Sequence, residues 1–484
     1  MGLKIVIVAT LLLGLVAWDF AEATTFLSDD YLFLAFARLE PHPLSAFVSD
    51  RHGGEYYRPV PMVLWALLDR VGQGSFWPFA LMGYLLHIGN AALTVTLGRA
   101  VGFTRQVAVL GGVFFLLAPA QREAALWFSA STDLLATVAT LASLTLLLCE
   151  PVWARLASVF CAAVAFFSKE SALVLPLLGV AALGTKEPGR LCLRHRLVPV
   201  FPHMAVGVGY LVARLAVLGG LGGSNDPSAP WWGRGLQLLS GLVHAVTAYA
   251  PLPDGVAWVL GLVVLTVAAF LAWRTGGLAR FPLVWTALAL LPLPAAGWVV
   301  GARYFYLPAV GLMLLLAWTV HKRGPALVAI GTGLLVVVGF LCTANRTDEI
   351  RRYRALLAAA HEAITESEGH VFLVRNAVKD LDLALKLTAP ARLPQPLLVI
   401  PDVPASFVWM PEALAEQSEF LLAQPPLPPA GAYVFGGQRI VGLARRQEAP
   451  DMDDVLARFP GLQIIEMVPA GRDRFVWRKV APAP

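Results

Sequence analysis

The chain has 484 residues, of which 57% are hydrophobic and only 14% are charged, against about 25% charged residues in ordinary soluble domains. This composition, with a mean hydropathy of +0.67, excludes a globular protein with water as its main solvent. The formal charge is +5, but the basic residues lie between apolar runs, which is typical of membrane proteins and does not indicate a nucleic-acid partner. The four cysteines have no paired spacing and predict neither a disulfide framework nor a metal site.

The N-terminal apolar run, residues 5–18, follows Lys4 and precedes Ala21-Glu22-Ala23. It is either a cleaved signal peptide within residues 1–23 or a retained transmembrane helix, and we favour retention. In both cases the chain from residue 24 onward begins outside the cytoplasm.

Further apolar runs through the first 343 residues are each long enough to cross a hydrocarbon layer of roughly 30 Å. They predict spans at 75–98, 106–120, 132–149, 152–168, 171–185, 198–219, 255–273, 281–299, 304–320 and 325–342. Predicted cytoplasmic loops then carry Arg99, Arg105, Arg155, Lys186, Arg190, Arg194, Arg196, Arg274, Arg280, Lys322 and Arg323. This agrees with the positive-inside rule and gives about eleven spans, with the N-terminus inside and the C-terminus outside.

Two apolar segments are not counted as spans. Residues 236–252 would place Arg274, Arg280 and Lys322 outside, so they predict an interfacial or re-entrant helix. Residues 59–71 predict an amphipathic part of the first external loop, 19–74.

The composition turns polar after Cys342, where Arg346 to Arg354 open a helix. Short β-rich runs follow at 370–374, 396–400, 433–435 and 462–468. The fold class is therefore an all-α polytopic membrane bundle, residues 1–343, with a small soluble α/β domain, residues 344–484, on the external side.

Ionisable residues beside or within the membrane are the candidates for function, because burying them is costly. Asp29 and Asp30 lie in the first external loop. Adjacent carboxylates suit base catalysis, since one raises the pKa of the other. The alternative is a solvated loop or a helix N-cap.

Three further clusters are predicted on the same external side. The first is Gln121-Arg122-Glu123 with Asp133, which could instead cap a helix. The second is Ser168-Lys169-Glu170, where Lys169 and Glu170 could instead pair with each other. The third is Arg303-Tyr304, where arginine suits bidentate phosphate binding and snorkelling is the alternative.

The predicted topology thus gathers carboxylates and cations on one membrane face: Asp29, Asp30, Arg58, Glu123, Asp133, Lys169 and Arg303. Such a face suits a lipid-linked anion and a polar acceptor. No metal-ligand pattern is visible, so no cofactor is expected, although an acidic pair can bind a divalent ion weakly.

Five short motifs carry a family resemblance: Asp29-Asp30, Tyr57-Arg58-Pro59, the stretch from Ala118-Pro119 through Glu123 to Asp133-Leu134, Ser168-Lys169-Glu170, and Arg303-Tyr304-Phe305-Tyr306-Leu307-Pro308. They resemble the glycosyltransferase-C superfamily of multi-spanning transferases, which use polyprenyl-phosphate-linked sugars. The resemblance is closest to the transmembrane O-mannosyltransferases with tetratricopeptide repeats and their bacterial relatives. It covers about residues 1–343.

The resemblance implies that Asp29 or Asp30 deprotonates an acceptor hydroxyl, and that Lys169 and Arg303 neutralise the departing lipid phosphate. Arg58, Glu123, Asp133, Glu170 and Tyr304 are the other expected substrate-binding residues. The chain departs from these relatives after residue 343, where the repeats are missing, and at Ala118-Pro119-Ala120-Gln121, which replaces a His-Pro-x-His motif.

The sequence therefore predicts an inverting glycosyltransferase of the bacterial plasma membrane, with the C-terminal domain periplasmic. Its partners are a polyprenyl-phosphate-linked sugar donor, membrane lipids, and a protein, lipid or glycan acceptor. A flippase or transporter of a lipid-linked glycan is the alternative, although transporters generally show internal repeats and charges near the midplane.

Overall fold

The protein is described here from a computed structural model. The described residues are 26, 30, 33–34, 42–48, 56–73, 75–118, 121, 124–125, 127–186, 193–220, 259, 263, 266, 270, 277–292, 302–366 and seven strands within 371–480. The predicted first span, the segment 236–252 and most of the span 255–273 lie outside them. The count of eleven spans is therefore not tested.

The chain divides into two compact units. The first unit contains residues 1–21, 46–64 and 77–345, and it holds most of the apolar helices. The second contains residues 22–45, 65–76 and 346–484.

Ten α-helices lie within the described residues. They are α1 Pro59–Gly72, α2 Trp77–Val101, α3 Arg105–Leu117, α4 Ser131–Leu147, α5 Val152–Phe166, α6 Leu175–Lys186, α7 Leu193–Leu218, α8 Arg280–Leu290, α9 Tyr306–Arg323 and α10 Pro325–Glu366. Each predicted span that lies among the described residues is helical, and α1 coincides with the predicted amphipathic segment. By length and composition, four helical segments in the described part of the chain could cross a membrane: Trp77–Val101, Phe128–Leu147, Arg194–Leu218 and Arg303–Arg323.

Small residues allow the helices of the first unit to approach closely. In α3, a Cβ on Gly112 would lie 2.8 Å from the carbonyl oxygen of Ala91 in α2. On the same helix, a Cβ on Gly111 would lie 2.6 Å from the Leu314 side chain of α9. Helix α3 therefore packs between α2 and α9 at distances that only glycine allows. This is the packing expected where lipid provides no hydrophobic driving force between helices.

Helix α7 shows which surface faces lipid. Large apolar side chains are exposed along much of its length: Leu197, Val198, Phe201, Met204, Val208, Val212 and Leu215. An apolar surface of this extent is rare on soluble monomers. A hydrocarbon environment explains it.

Helix α10 is one continuous helix of 42 residues, Pro325–Glu366. The sequence predicts a span ending at residue 342 and a separate polar helix after it. No proline interrupts residues 326–366, and each added helical residue contributes a backbone hydrogen bond. The change of composition at Cys342 therefore does not mark the end of a helix.

The C-terminal part contains two sheets. The first has the order β2-β1-β6-β7, with β2 Leu398–Pro401, β1 Val371–Arg375, β6 Gln463–Pro469 and β7 Phe475–Val480. In it β1 pairs in parallel with β2 and β6, while β6 and β7 are antiparallel. The second is antiparallel, with β5 Gln438–Ala444 between β3 Phe407–Pro411 and β4 Tyr433–Phe435. The four predicted β-rich runs are strands, whereas β3, β5 and β7 were not predicted.

Candidate functional site

Lys169 and Asp133 form a buried ion pair in the first unit. The Lys169 Nζ lies 2.5 Å from Asp133 Oδ2, and the two side chains are only 6% and 8% exposed. Asp133 stands in the first turn of α4, but it does not cap that helix, because the N-cap residue is Ala130 and no side chain caps it. Ion pairing with Lys169 thus explains the aspartate better than capping does.

Glu170 pairs with two arginines and not with its neighbour Lys169. The Glu170 Oε2 accepts from Arg58 Nη2 at 2.9 Å, and Oε1 accepts from Arg214 Nη1 at 2.6 Å. The backbone at Lys169 is extended, with φ −161° and ψ 142°, whereas Glu170 begins a short 3-10 helix, and the two side chains bind different partners. The predicted alternative, a pair between Lys169 and Glu170, is therefore wrong.

The pKa of Glu170 follows from these contacts. Burial alone would raise the pKa of the Glu170 carboxyl, but Arg58 and Arg214 outweigh it and lower the pKa to about 2. Burial would likewise lower the pKa of the Arg58 guanidinium, whereas Glu170 raises it above the ordinary value. All three groups are therefore charged throughout the physiological pH range.

Arg303 lies against aromatic rings. Its guanidinium carbon is 4.1 Å from the centre of the Trp127 ring and 5.1 Å from that of Tyr304. The ammonium of Lys169 is 4.7 Å from the centre of the same Tyr304 ring. Tyr304 therefore links the two cations that sequence reasoning assigns to phosphate binding. Stacking on aromatic faces holds a cation in place without neutralising its charge.

Together these side chains form one cluster at the ends of helices. Asp133 lies in the first turn of α4, Lys169 and Glu170 lie between α5 and α6, Arg214 lies just before the last turn of α7, and Arg303 precedes α9. Arg58 reaches the cluster from the segment before α1. The structure thus brings together six of the predicted residues: Arg58, Asp133, Lys169, Glu170, Arg303 and Tyr304.

Cations outnumber carboxylates among the described side chains of the cluster. Four cations, Arg58, Lys169, Arg214 and Arg303, stand with two carboxylates, Asp133 and Glu170, which leaves two positive charges within the described part of the cluster. Guanidinium and ammonium groups gathered in this way are the groups with which proteins bind phosphate or carboxylate.

Three predicted residues remain: Asp29, Asp30 and Glu123. Asp29 and Glu123 lie outside the described residues. Asp30 is a helical residue of the second unit and is fully buried, so it is not a residue of a solvated loop.

Three residues of the cluster, Arg214, Tyr210 and Trp127, were not predicted from the sequence. Arg214 bridges Glu170 and the Tyr210 hydroxyl, which lies 3.1 Å from Arg214 Nη1. Trp127 supports Arg303. A signal for Arg214 was present, because it is an arginine inside a predicted apolar span, and such residues are functional candidates by default. Trp127 has no comparable signal among the 14 tryptophans of the chain.

No group of three or more His, Cys, Asp or Glu side chains suited to a metal ion occurs within the described residues. The donors of the cluster are mainly guanidinium and ammonium groups, which repel a cation and bind phosphate or carboxylate.

No protein-family model matches the chain, and no curated protein matches it. Among solved structures, ArnT from Cupriavidus metallidurans bound to undecaprenyl phosphate is 13% identical with a TM-score of 0.49, covering 93% of this chain and 99% of that one. The apo form of ArnT has 16% identity, the same coverage and a TM-score of 0.43. The Archaeoglobus fulgidus oligosaccharyltransferase has 12% identity and a TM-score of 0.46, covering 79% of this chain and 64% of its own.

One of these proteins is an oligosaccharyltransferase and the other is described as bound to undecaprenyl phosphate, and neither is described as a mannosyltransferase. The TM-scores of these three structures lie below 0.5. These likenesses therefore assign neither a fold nor a function to this chain, and the proposals below rest on its own residues.

Proposed function

We propose that the protein is a membrane glycosyltransferase that uses a sugar linked to a polyprenyl phosphate. The observation that supports this proposal is the cluster of four cations and two carboxylates near the ends of helices. Its residues come from distant parts of the chain, from Arg58 to Arg303. Guanidinium and ammonium groups beside lipid-facing helices suit a ligand with an anionic head and a hydrocarbon tail.

Lys169 and Arg303 would bind the phosphate of the donor. Both lie against the Tyr304 ring, so a phosphate beside that ring would meet an ammonium and a guanidinium together. Arg58 and Arg214 are already bound to Glu170, and their proposed role is to hold the segment that carries Lys169. Preorganised cations of this kind lower a barrier because they need not reorient as negative charge develops.

In the proposed reaction an acceptor hydroxyl attacks the anomeric carbon of the sugar on the face opposite the phosphate. A new carbon–oxygen bond forms while the bond between the anomeric carbon and the phosphate oxygen breaks. The electron pair of that bond leaves with the polyprenyl phosphate, and the hydroxyl proton passes to the carboxylate of Asp29 or Asp30. Attack from the opposite face inverts the anomeric configuration.

The setting of this reaction is also a proposal. The predicted topology places the cluster on the external side of a bacterial plasma membrane, with the C-terminal sheets in the periplasm. A mannosyl or other hexosyl donor and a protein, lipid or glycan acceptor follow from the family resemblance. No cofactor is proposed, since the cluster itself supplies the positive charge that a metal ion supplies in other transferases.

The test is the release of polyprenyl phosphate from a panel of polyprenyl-phosphate sugars by the purified full-length protein in lipid vesicles. We expect release by the wild type, lowered about 100-fold or more in Asp30→Asn, because a general base contributes roughly that factor. Lys169→Gln should lower it by about 100-fold, as the loss of one charge-stabilising donor does.

Ser158→Ala is the control, since Ser158 hydrogen-bonds to Ser143 and His203 away from the cluster, and it should retain release. Full release by the Asp29→Asn and Asp30→Asn double variant would overturn the proposed mechanism. No release from any donor by folded wild-type protein would favour the flippase alternative, and a lipid-flipping assay would then decide.

A further inference from the structure

A second polar network, fully buried, lies beside the charged cluster in the first unit. It consists of His87 and Asn90 on α2 and Tyr306 at the start of α9. The Tyr306 hydroxyl lies 2.7 Å from His87 Nδ1 and 3.3 Å from Asn90 Nδ2. None of these three side chains was assigned a role from the sequence.

The carbonyl oxygen of Leu116 can only accept a hydrogen bond, and this indicates which groups in the network donate and which accept. His87 Nε2 lies 3.2 Å from the carbonyl oxygen of Leu116, so Nε2 carries the hydrogen. His87 Nδ1 is then the acceptor for the Tyr306 hydroxyl, and the Tyr306 oxygen accepts from Asn90 Nδ2. The same Asn90 nitrogen donates to the carbonyl oxygen of Leu134 at 3.1 Å. For a neutral His87 ring, each of these hydrogen bonds therefore has one direction.

Each end of this network lies next to a residue of the charged cluster in sequence. Leu134 follows Asp133, and Tyr306 follows Arg303 and Tyr304 within the same turn. Leu116 stands at the end of α3, where the chain continues toward Trp127, the ring on which Arg303 lies. The network thus holds three backbone segments that carry the phosphate-binding side chains and their support.

The arrangement is not the most stable that the site could have. Asn90 Oδ1 is buried and has no hydrogen-bond partner among the described residues. An unpaired buried acceptor lowers stability, whereas an apolar side chain of similar shape would not. This favours a positioning role for Asn90 over a purely stabilising one.

We infer that His87, Asn90 and Tyr306 form a positioning network that fixes the spacing between Asp133–Lys169 and Arg303–Tyr304, and that this spacing sets the affinity for the phosphate of a polyprenyl lipid. The second half of this inference rests on the proposed function, and the first half does not. The three residues act through the cluster and need not touch the ligand.

The test compares Tyr306→Phe and Asn90→Ala with Ser158→Ala, which also removes buried hydrogen bonds but belongs to the separate group of Ser143, Ser158 and His203. The first readout is hydrogen–deuterium exchange of the protein without ligand. Tyr306→Phe and Asn90→Ala should speed exchange both at 302–305 and at 131–134, and Ser158→Ala should speed neither. Unchanged exchange at either segment in Tyr306→Phe would overturn the inference.

The second readout is the affinity for undecaprenyl phosphate in detergent. Tyr306→Phe should bind it at least about fivefold more weakly than Ser158→Ala at a comparable loss of unfolding temperature, which is the lower end of typical coupling between sites. Equal affinities would overturn the positioning role. If the wild type binds no undecaprenyl phosphate, the proposed function fails. Hydrogen–deuterium exchange alone then tests whether the network holds the segments 302–305 and 131–134 in place. Should Asn90→Ala fail to fold, Tyr306→Phe, which removes a single oxygen atom, carries the test.

Discussion

Glu170 carries the negative charge that Arg58 and Arg214 share, so its loss would leave two arginines facing each other. Replacing it by glutamine should lower the free energy of unfolding by about 3 kcal/mol, as breaking a buried ion pair from one side does. Thermal unfolding of the purified protein checks this. Glu150→Gln is the matched control, because Glu150 is exposed, and it should change stability by less than about 0.5 kcal/mol. Equal stability of the two variants would contradict the role given to Glu170.

The same residue predicts a pH dependence. The pKa of Glu170 is about 2, against an ordinary value of 4.5. A carboxyl with a lowered pKa stabilises the fold above its ordinary pKa, and that contribution is lost as the pH falls toward the lowered value. The stability difference between wild type and Glu170→Gln should therefore be largest near neutral pH and shrink between about pH 4.5 and 2. A difference that grows with acidification would contradict the assignment.

At the residue scale, the sequence indicates which charged residues share a membrane face but not which of them pair with each other. The predicted topology indicates that Asp133, Lys169 and Arg303 share one membrane face, because each follows or precedes an apolar run. It does not indicate that Lys169 pairs with Asp133 and Glu170 with two arginines. That choice depends on the extended backbone at Lys169 and on the approach of α7, which are properties of the folded chain.

At the scale of helices, glycine determines how closely α8 and α9 approach. A Cβ on Gly311 of α9 would lie 2.5 Å from Thr286 Oγ1 and 2.9 Å from Trp285 Cδ1, both on α8. Gly311→Ala should therefore push the helices apart and lower the unfolding temperature, at a cost of about 1–3 kcal/mol for overpacking.

Gly209 of α7 provides the control, because a Cβ there would meet nothing within 4 Å. Gly209→Ala should leave stability unchanged or raise it by up to about 1 kcal/mol, since alanine is the better helix former. Thermal unfolding of both variants in the same detergent measures the difference. If Gly311→Ala is as stable as Gly209→Ala, the packing described for α8 and α9 is wrong.

Helices were easier to predict than strands for a physical reason. A span is a run of about 20 apolar residues and is visible in the sequence alone, whereas β3, β5 and β7 are each seven residues or fewer. The pairing of Phe435 with Gln438 encloses Gly436-Gly437, a dipeptide typical of two-residue hairpins, and this signal for β4 and β5 was present in the sequence.

At the scale of the whole molecule, the chain combines a unit rich in apolar helices with a unit that contains two sheets. The composition predicts this division near residue 343, and the first unit ends at Asn345. Composition does not predict that residues 22–45 and 65–76 belong with the C-terminal part, because contacts between distant parts of a chain leave no periodic pattern in the sequence.

The central claim is that Lys169 and Arg303 bind the phosphate of a lipid. It is tested most directly by the affinities of the wild type, Lys169→Gln and Arg303→Gln for undecaprenyl phosphate and for undecaprenol, which lacks the phosphate. We expect the wild type to prefer the phosphate by about tenfold or more, because one charge-assisted hydrogen bond is worth roughly that factor. Each variant should lose most of the preference while its affinity for undecaprenol stays the same. A wild type that binds both lipids equally, or variants that keep the full preference, would contradict the claim.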